Sequence, residues 1–251
     1  MNFFVGFHHP GRAEQVGRPC MLSANALRDR KGDITPGEWM MDSGAFSQVA
    51  GEAGFHDSPA EYAIEIHRWS RCGELVAAAT QDYMCEPAIL DRLDRNAKEQ
   101  QERTVERYRE IKSHLMRLRS DVHLMPVLQG WDARHYKRHI KMYDLPENCW
   151  TGVGSVCKRN STPADVERVL RSVKDFRPDL RLHGFGIKTE ALKRPAIREM
   201  LYSADSMAWS FHARKSDGDP NSPLAAQEFY DAMMEPTTET PLFSQEAKAH
   251  A

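Results

Sequence analysis

The chain lacks any apolar run close to the roughly 18 residues that cross a bilayer, so no membrane partner is expected. Its start, Met1-Asn2-Phe3-Phe4-Val5-Gly6-Phe7, has no basic n-region and no small-residue cleavage site, and reads as a first strand rather than a signal peptide. Cysteine is scarce. The five cysteines (Cys20, Cys72, Cys85, Cys149, Cys157) are odd in number and widely spaced, without a CxxC. That argues against a disulfide framework and against a zinc or iron–sulfur cluster, and it suits a reducing, cytoplasmic location. Excess positive charge is also missing. With a net charge of −2, no global field attracts nucleic acid, so any such contact must come from local basic patches. No GxGxxG follows a strand, and no cofactor is expected.

What is present is a regular alternation. The 251 residues, 41% hydrophobic and 28% charged, suit one large α/β domain. Strand-like runs occur at Phe3 to Phe7, Cys20 to Ser23, Trp39 to Met41, Leu75 to Thr80, Val122 to Leu128, Cys149 to Val153, Leu180 to Leu182, and Ala204 to Phe211. Helical segments separate most of them. Ser58-Pro59-Ala60-Glu61 is a capping box with proline at the first helical position. A long helix is expected from Leu90 to Arg119, its apolar face interrupted at Gln101. Asp132 caps a helix through Ile140, Thr162-Pro163-Ala164-Asp165 opens another, and helical segments restarted at Pro195 run to Tyr202. Ser222-Pro223 begins the last, which ends at Met234.

Eight strands alternating with helices predict a (β/α)8 TIM-type barrel over residues 1–234, with an open doubly wound sheet as the alternative. Residues 235–251 are polar and aperiodic, and a disordered tail is expected. In a barrel, function collects at the carboxyl ends of the strands. Those ends carry His8, Ser23, Asp42, Asp82, Gln129, Gly154, Gly186 and the flank of Asp205. Three carboxylates in one ring allow a division of labour: one attacks an electrophilic carbon, one handles protons, one binds a ligand. A carboxylate nucleophile suits an anomeric carbon, whose transition state has oxocarbenium character.

Six short segments in order resemble the tRNA-guanine transglycosylase superfamily, which is built on a (β/α)8 barrel. They are Asp42-Ser43-Gly44-Ala45-Phe46, the Asp82 loop with Cys85 and Pro87, Val127-Leu128-Gln129-Gly130, Gly152-Val153-Gly154-Ser155, Gly184-Phe185-Gly186, and Asp205-Ser206-Met207-Ala208-Trp209. The C-x-C-x-x-C plus His zinc site of the tRNA-acting enzymes is missing, and with it the zinc-binding subdomain. With the start Gly6-Phe7-His8-His9-Pro10, the chain is most similar to the phage and bacterial DpdA branch, which exchanges guanine in DNA for a 7-deazaguanine.

The resemblance implies that Asp205 attacks C1′ of a deoxyguanosine and Asp42 serves as acid and base. Asp82 and Gln129 would bind the purine edge, backbone at Gly154, Ser155 and Gly186 would complete recognition, and Phe46 and Phe185 would sandwich the ring. The partners it implies are DNA, with the target base flipped out or single-stranded, and a free base such as 7-cyano-7-deazaguanine. His8, His9, Lys158, Arg159, Lys188 and Arg214 follow strand ends and are candidates for phosphate or site contacts. A homodimer or an accessory protein would supply further binding surface. The alternatives are exchange on tRNA, hydrolysis of a nucleoside or glycoside, and a non-catalytic nucleic-acid-binding barrel.

Overall fold

The structure, a computed structural model, describes residues 1–52, 54–159 and 162–235; the polar tail expected from residue 236 onward lies outside them. All paired strands are parallel. In chain order the elements are β1 (Asn2–Gly6), β2 (Cys20–Ser23), α1 (Ala24–Leu27), β3 (Glu38–Asp42), α2 (Ala45–Glu52), α3 (Pro59–Trp69), β4 (Glu74–Ala79), α4 (Pro87–Leu93) and α5 (Ala97–Arg117). There follow β5 (His123–Met125), β6 (Val127–Leu128), α6 (Ala133–Met142), β7 (Trp150–Val153), α7 (Pro163–Phe176), β8 (Arg181–Gly184), α8 (Thr189–Leu192), α9 (Pro195–Met200), β9 (Leu201–Ser206), α10 (Ala208–Lys215) and α11 (Pro223–Met234). The irregular first connection is a short 3-10 helix, Pro10–Val16.

The sheet order is β5-β4-β3-β2-β1-β9-β8-β7-β6. Its two end segments are consecutive in the chain, separated only by Pro126. Proline has no N–H to give a ladder, so it splits the expected Val122–Leu128 strand in two. The Met125 carbonyl still accepts from Thr80 N at 3.0 Å, and the Pro126 carbonyl from Gly152 N at 2.8 Å. One interrupted strand therefore touches both neighbours and closes the ring. This is an α/β TIM-type barrel, and the open sheet is ruled out.

Strand alternation divides the core. Phe4, Met21, Met40, Ala77 and Met125 fill the barrel interior. Phe3, Val5, Leu22, Trp39, Met41 and Ala78 face the surrounding helices. Asp42 shares its parity with Met40, and Asp205 with Ser203, so both acids end strands on the inner side. Pairing of Ser23 with Asp42 and of Phe4 with Asp205 sets their heights.

Three further expectations are corrected. The last strand is Leu201–Ser206, not Ala204 to Phe211; residues from Ala208 turn into α10, pinned by Trp209 Nε1 donating to the Gly6 carbonyl at 3.0 Å. Leu201 and Tyr202 belong to this strand rather than to the preceding helix. The expected helix Leu90 to Arg119 is two helices. Asp94 is left-handed at φ 49°, and Asn96 forms a capping box with Glu99 that restarts the helix. Ser58 with Glu61, Asp132, and Ser222 bind first-turn backbone N–H groups as expected, whereas Thr162 opens α7 without a side-chain cap bond.

Gly73, before β4, has φ +64°, and a Cβ there would fall 2.1 Å from the Pro36 carbonyl oxygen. Gly73→Ala is expected to destabilise the barrel by about 2 kcal/mol or more, read as a lowered urea midpoint with an unchanged m-value.

Candidate active site

The strand ends bring Asp42, Asp82, Gln129, Gly154, Ser155 and Asp205 together at one end of the barrel. Asp42 begins a tight turn in which its Oδ2 accepts from Gly44 N at 3.0 Å. Gly44 has φ +76° and lies against Asn25, whose Nδ2 donates to its carbonyl at 3.2 Å. Burial pushes the Asp42 carboxyl up to about 6; the Gly44 N–H and the Ser23 hydroxyl oppose that shift, and the nearby Asp205 charge adds to it.

Asp82 is buried. Gln129 Nε2 donates to its Oδ2 in a short contact, and Ser43 Oγ donates to its Oδ1 at 3.3 Å. Burial pushes Asp82 up to about 7, the Gln129 bond works against this, and Asp42 reinforces it. Gln129 is fixed at both ends of its amide, because Ser155 Oγ donates to its Oε1 at 2.8 Å. Ser155 is left-handed at φ 61°. A Cβ on Gly154 would lie 2.2 Å from Gln129 Nε2, so the amide occupies the space a side chain there would need.

These loops are braced from outside by α5. Gln101, which the sequence pattern treats as a break in an apolar face, is fully buried; its Nε2 donates to the Gln129 carbonyl at 2.6 Å and the His135 carbonyl at 2.8 Å. Thr104 Oγ1 accepts from Tyr83 N at 2.9 Å, which anchors the Asp82 loop. His139 Nδ1 accepts from Gln129 N at 2.8 Å, and burial holds this imidazole down to about 3, hence neutral. The polar stripe is thus part of the site's support.

Asp205 is buried at the end of β9. Its Oδ1 accepts from Gly186 N at 2.9 Å, and His183 Nε2 lies 3.3 Å from the same oxygen. His183 and Ser203 were not singled out from the sequence. The available signal was a histidine directly after the Leu180–Leu182 run and next to the Gly184-Phe185-Gly186 turn.

Phe46 and Phe185 follow β3 and β8, which stand on opposite sides of the closed ring. Phe46 is 54% exposed on α2, while Phe185 packs edge-on to His183 with ring centroids 4.6 Å apart. On the rim, His8, His9, Lys188 and Arg214 are exposed. Arg214 Nη1 donates to His8 Nε2 at 3.4 Å; partial burial and the Arg214 charge hold His8 below its usual range. Arg159 is engaged by protein instead: its guanidinium lies 4.0 Å over the Trp131 ring and donates to the Trp131 carbonyl. The Lys158 side chain lies outside the described residues.

The raised carboxyls have a consequence for stability. A carboxyl with a folded-state value above its ordinary one favours the folded state at low pH, and that contribution is lost as pH rises through the folded value. Asp82, at about 7 against 3.8, therefore makes stability fall between pH 4 and 7. Asp82→Asn is expected to be more stable than the parent at pH 8, by on the order of 1 kcal/mol or more, with the gap closing towards pH 4. Thermal melts across that range measure it, and a gap independent of pH would contradict the assignment.

Among the described residues no cluster of His, Cys, Asp and Glu could hold a metal ion, and no helix is long and apolar enough to cross a membrane. Comparison with curated proteins gives no match. The family model for DpdA, DeoxyPurine in DNA protein A, matches residues 1–228. That span takes in every strand and every mouth residue named above, and the chain belongs to the DpdA family.

Proposed function

We propose that the protein exchanges guanine in DNA for a 7-deazaguanine through two displacements at C1′, with Asp205 as nucleophile. The observation that carries this reading is the meeting of Asp205, Asp42 and the Asp82–Gln129 pair at one end of one barrel. Membership of the DpdA family supports transglycosylase-type chemistry as the reaction class and DNA as the polymer.

In the first displacement Asp205 Oδ2 attacks C1′ of a flipped-out deoxyguanosine. The C1′–N9 bond breaks, its electron pair goes to the purine, and Asp42 delivers a proton to the departing base. A carboxyl raised to about 6 can give up a proton and recover it near neutrality. In the second displacement N9 of the incoming 7-deazaguanine forms the new bond to C1′, its proton passes to Asp42, and the ester to Asp205 breaks. Two inversions leave the configuration retained.

Asp82 accepts hydrogen bonds from the purine edge, with Gln129 held beside it by Ser155. Backbone at Gly154, Ser155 and Gly186 bounds the base, and Phe46 and Phe185 approach its two faces. Exposed His8, His9, Lys188 and Arg214 meet the flanking phosphates, with Lys158 a further candidate. Because the net charge is −2, a second copy or an accessory protein adds binding surface. An active monomer in sedimentation would remove that last element.

Labelled guanine or 7-cyano-7-deazaguanine, incubated with duplex DNA, single-stranded DNA and tRNA, tests the reading. Incorporation into DNA is expected; incorporation into tRNA alone overturns it. Asp205→Asn should abolish a denaturation-resistant protein–DNA adduct. Asp42→Asn should slow exchange by about 10²- to 10⁴-fold while leaving DNA binding intact.

A further inference from the structure

Among the described residues, Asp205 is held by one oxygen only. Gly186 N–H and His183 Nε2 both reach Oδ1, at 2.9 and 3.3 Å. Among the described residues no hydrogen bond reaches Oδ2. The histidine is itself fixed from behind. His183 is fully buried, its Nδ1 is 2.9 Å from Ser203 Oγ, and Trp150 Nε1 is 2.8 Å from the same hydroxyl. An indole N–H can only donate, so the Ser203 oxygen accepts from Trp150 and its own proton is free to point at His183 Nδ1. A ring accepting there at Nδ1 carries its proton on Nε2, facing Asp205. Phe185 packs edge-on against the ring and limits its rotation.

This arrangement acts differently on the two halves of the reaction. When Oδ2 bonds to C1′, the carboxylate charge is consumed and Oδ1 becomes an ester carbonyl, a weaker acceptor. When the incoming base displaces the ester, the C1′–Oδ2 bond breaks, its electron pair returns to Asp205, and charge reappears on Oδ1. Donors aimed at Oδ1 therefore favour the free carboxylate over the ester. They restrain formation of the ester and assist its release, since only interactions that strengthen along a step accelerate it.

We propose that His183, oriented by Ser203 and Trp150, is a positioning residue that leaves Oδ2 as the attacking oxygen and shortens the life of the Asp205–DNA ester. This rests on the reading of Asp205 as nucleophile.

Rapid-quench single turnovers with end-labelled DNA separate the two halves. Adduct formation is followed first, and its resolution after a chase with 7-cyano-7-deazaguanine is followed second. His183→Phe removes the donor and should resolve the adduct about tenfold more slowly or worse, with formation unchanged or faster, so adduct accumulates. His183→Gln keeps an amide donor and should restore resolution. Ser203→Ala, a smaller change, should fall between and carries the test with His183→Gln if His183→Phe fails to fold. Equal slowing of both halves, or His183→Gln behaving like His183→Phe, overturns the proposal; so does parental partitioning in Ser203→Ala where His183→Phe is unfolded. Adduct absent from the parent, or persisting in Asp205→Asn, overturns instead the nucleophile reading beneath it.

Discussion

The constraint on which this site depends is electrostatic. Asp42, Asp82 and Asp205 lie at or just past the carboxyl ends of their strands in one poorly solvated barrel mouth, with Asp42 close enough to both others for their charges to act on it. Carboxylates in such a place are costly unless each is protonated or met by donors. Asp205 receives Gly186 and faces His183, while Asp42 and Asp82 accept fewer compensating bonds than burial demands and are driven towards protonation near neutral pH. The shifts of Asp42 and Asp82 thus come from their surroundings rather than from residue type.

That differentiation needs walls that do not move. The Asp82 and Gln129 loops are secured by Thr104 and Gln101 on α5 and by His139 on α6, each of them buried. Ser155 then holds the Gln129 amide in one orientation, with its N–H towards Asp82 and its oxygen towards the hydroxyl. An amide free to turn would set oxygen against oxygen at Asp82. Polar residues on the outer helices therefore act on the site at one remove, through the backbone of the loops they brace.

Much of the barrel was legible in the chain, because strand and helix periods and capping residues are local properties. Ser58 with Glu61, Asp132 and Ser222-Pro223 place helix starts correctly. The errors have local causes too. Small and apolar residues continue past Asp205, so β9 and α10 blend into one run, although Trp209 reaches back to the Gly6 carbonyl and turns the chain. Helical spacing likewise runs across Asp94 and Asn96, where a left-handed residue and a new cap divide the helix. Gln101 looked like a defect because periodicity registers burial but not hydrogen bonding.

By itself the sequence determined the acids, their order and their places at strand ends, because alternation and turn chemistry act over a few residues. Closure of the ring through the strand broken at Pro126 was decided only in three dimensions, as were the identities of the donors that meet each acid. So was the line from Trp150 through Ser203 and His183 to Asp205, which joins residues up to 55 positions apart across β7, β8 and β9. Parallel strands bring distant residues into register by long crossovers, and no local pattern encodes which pairs will meet.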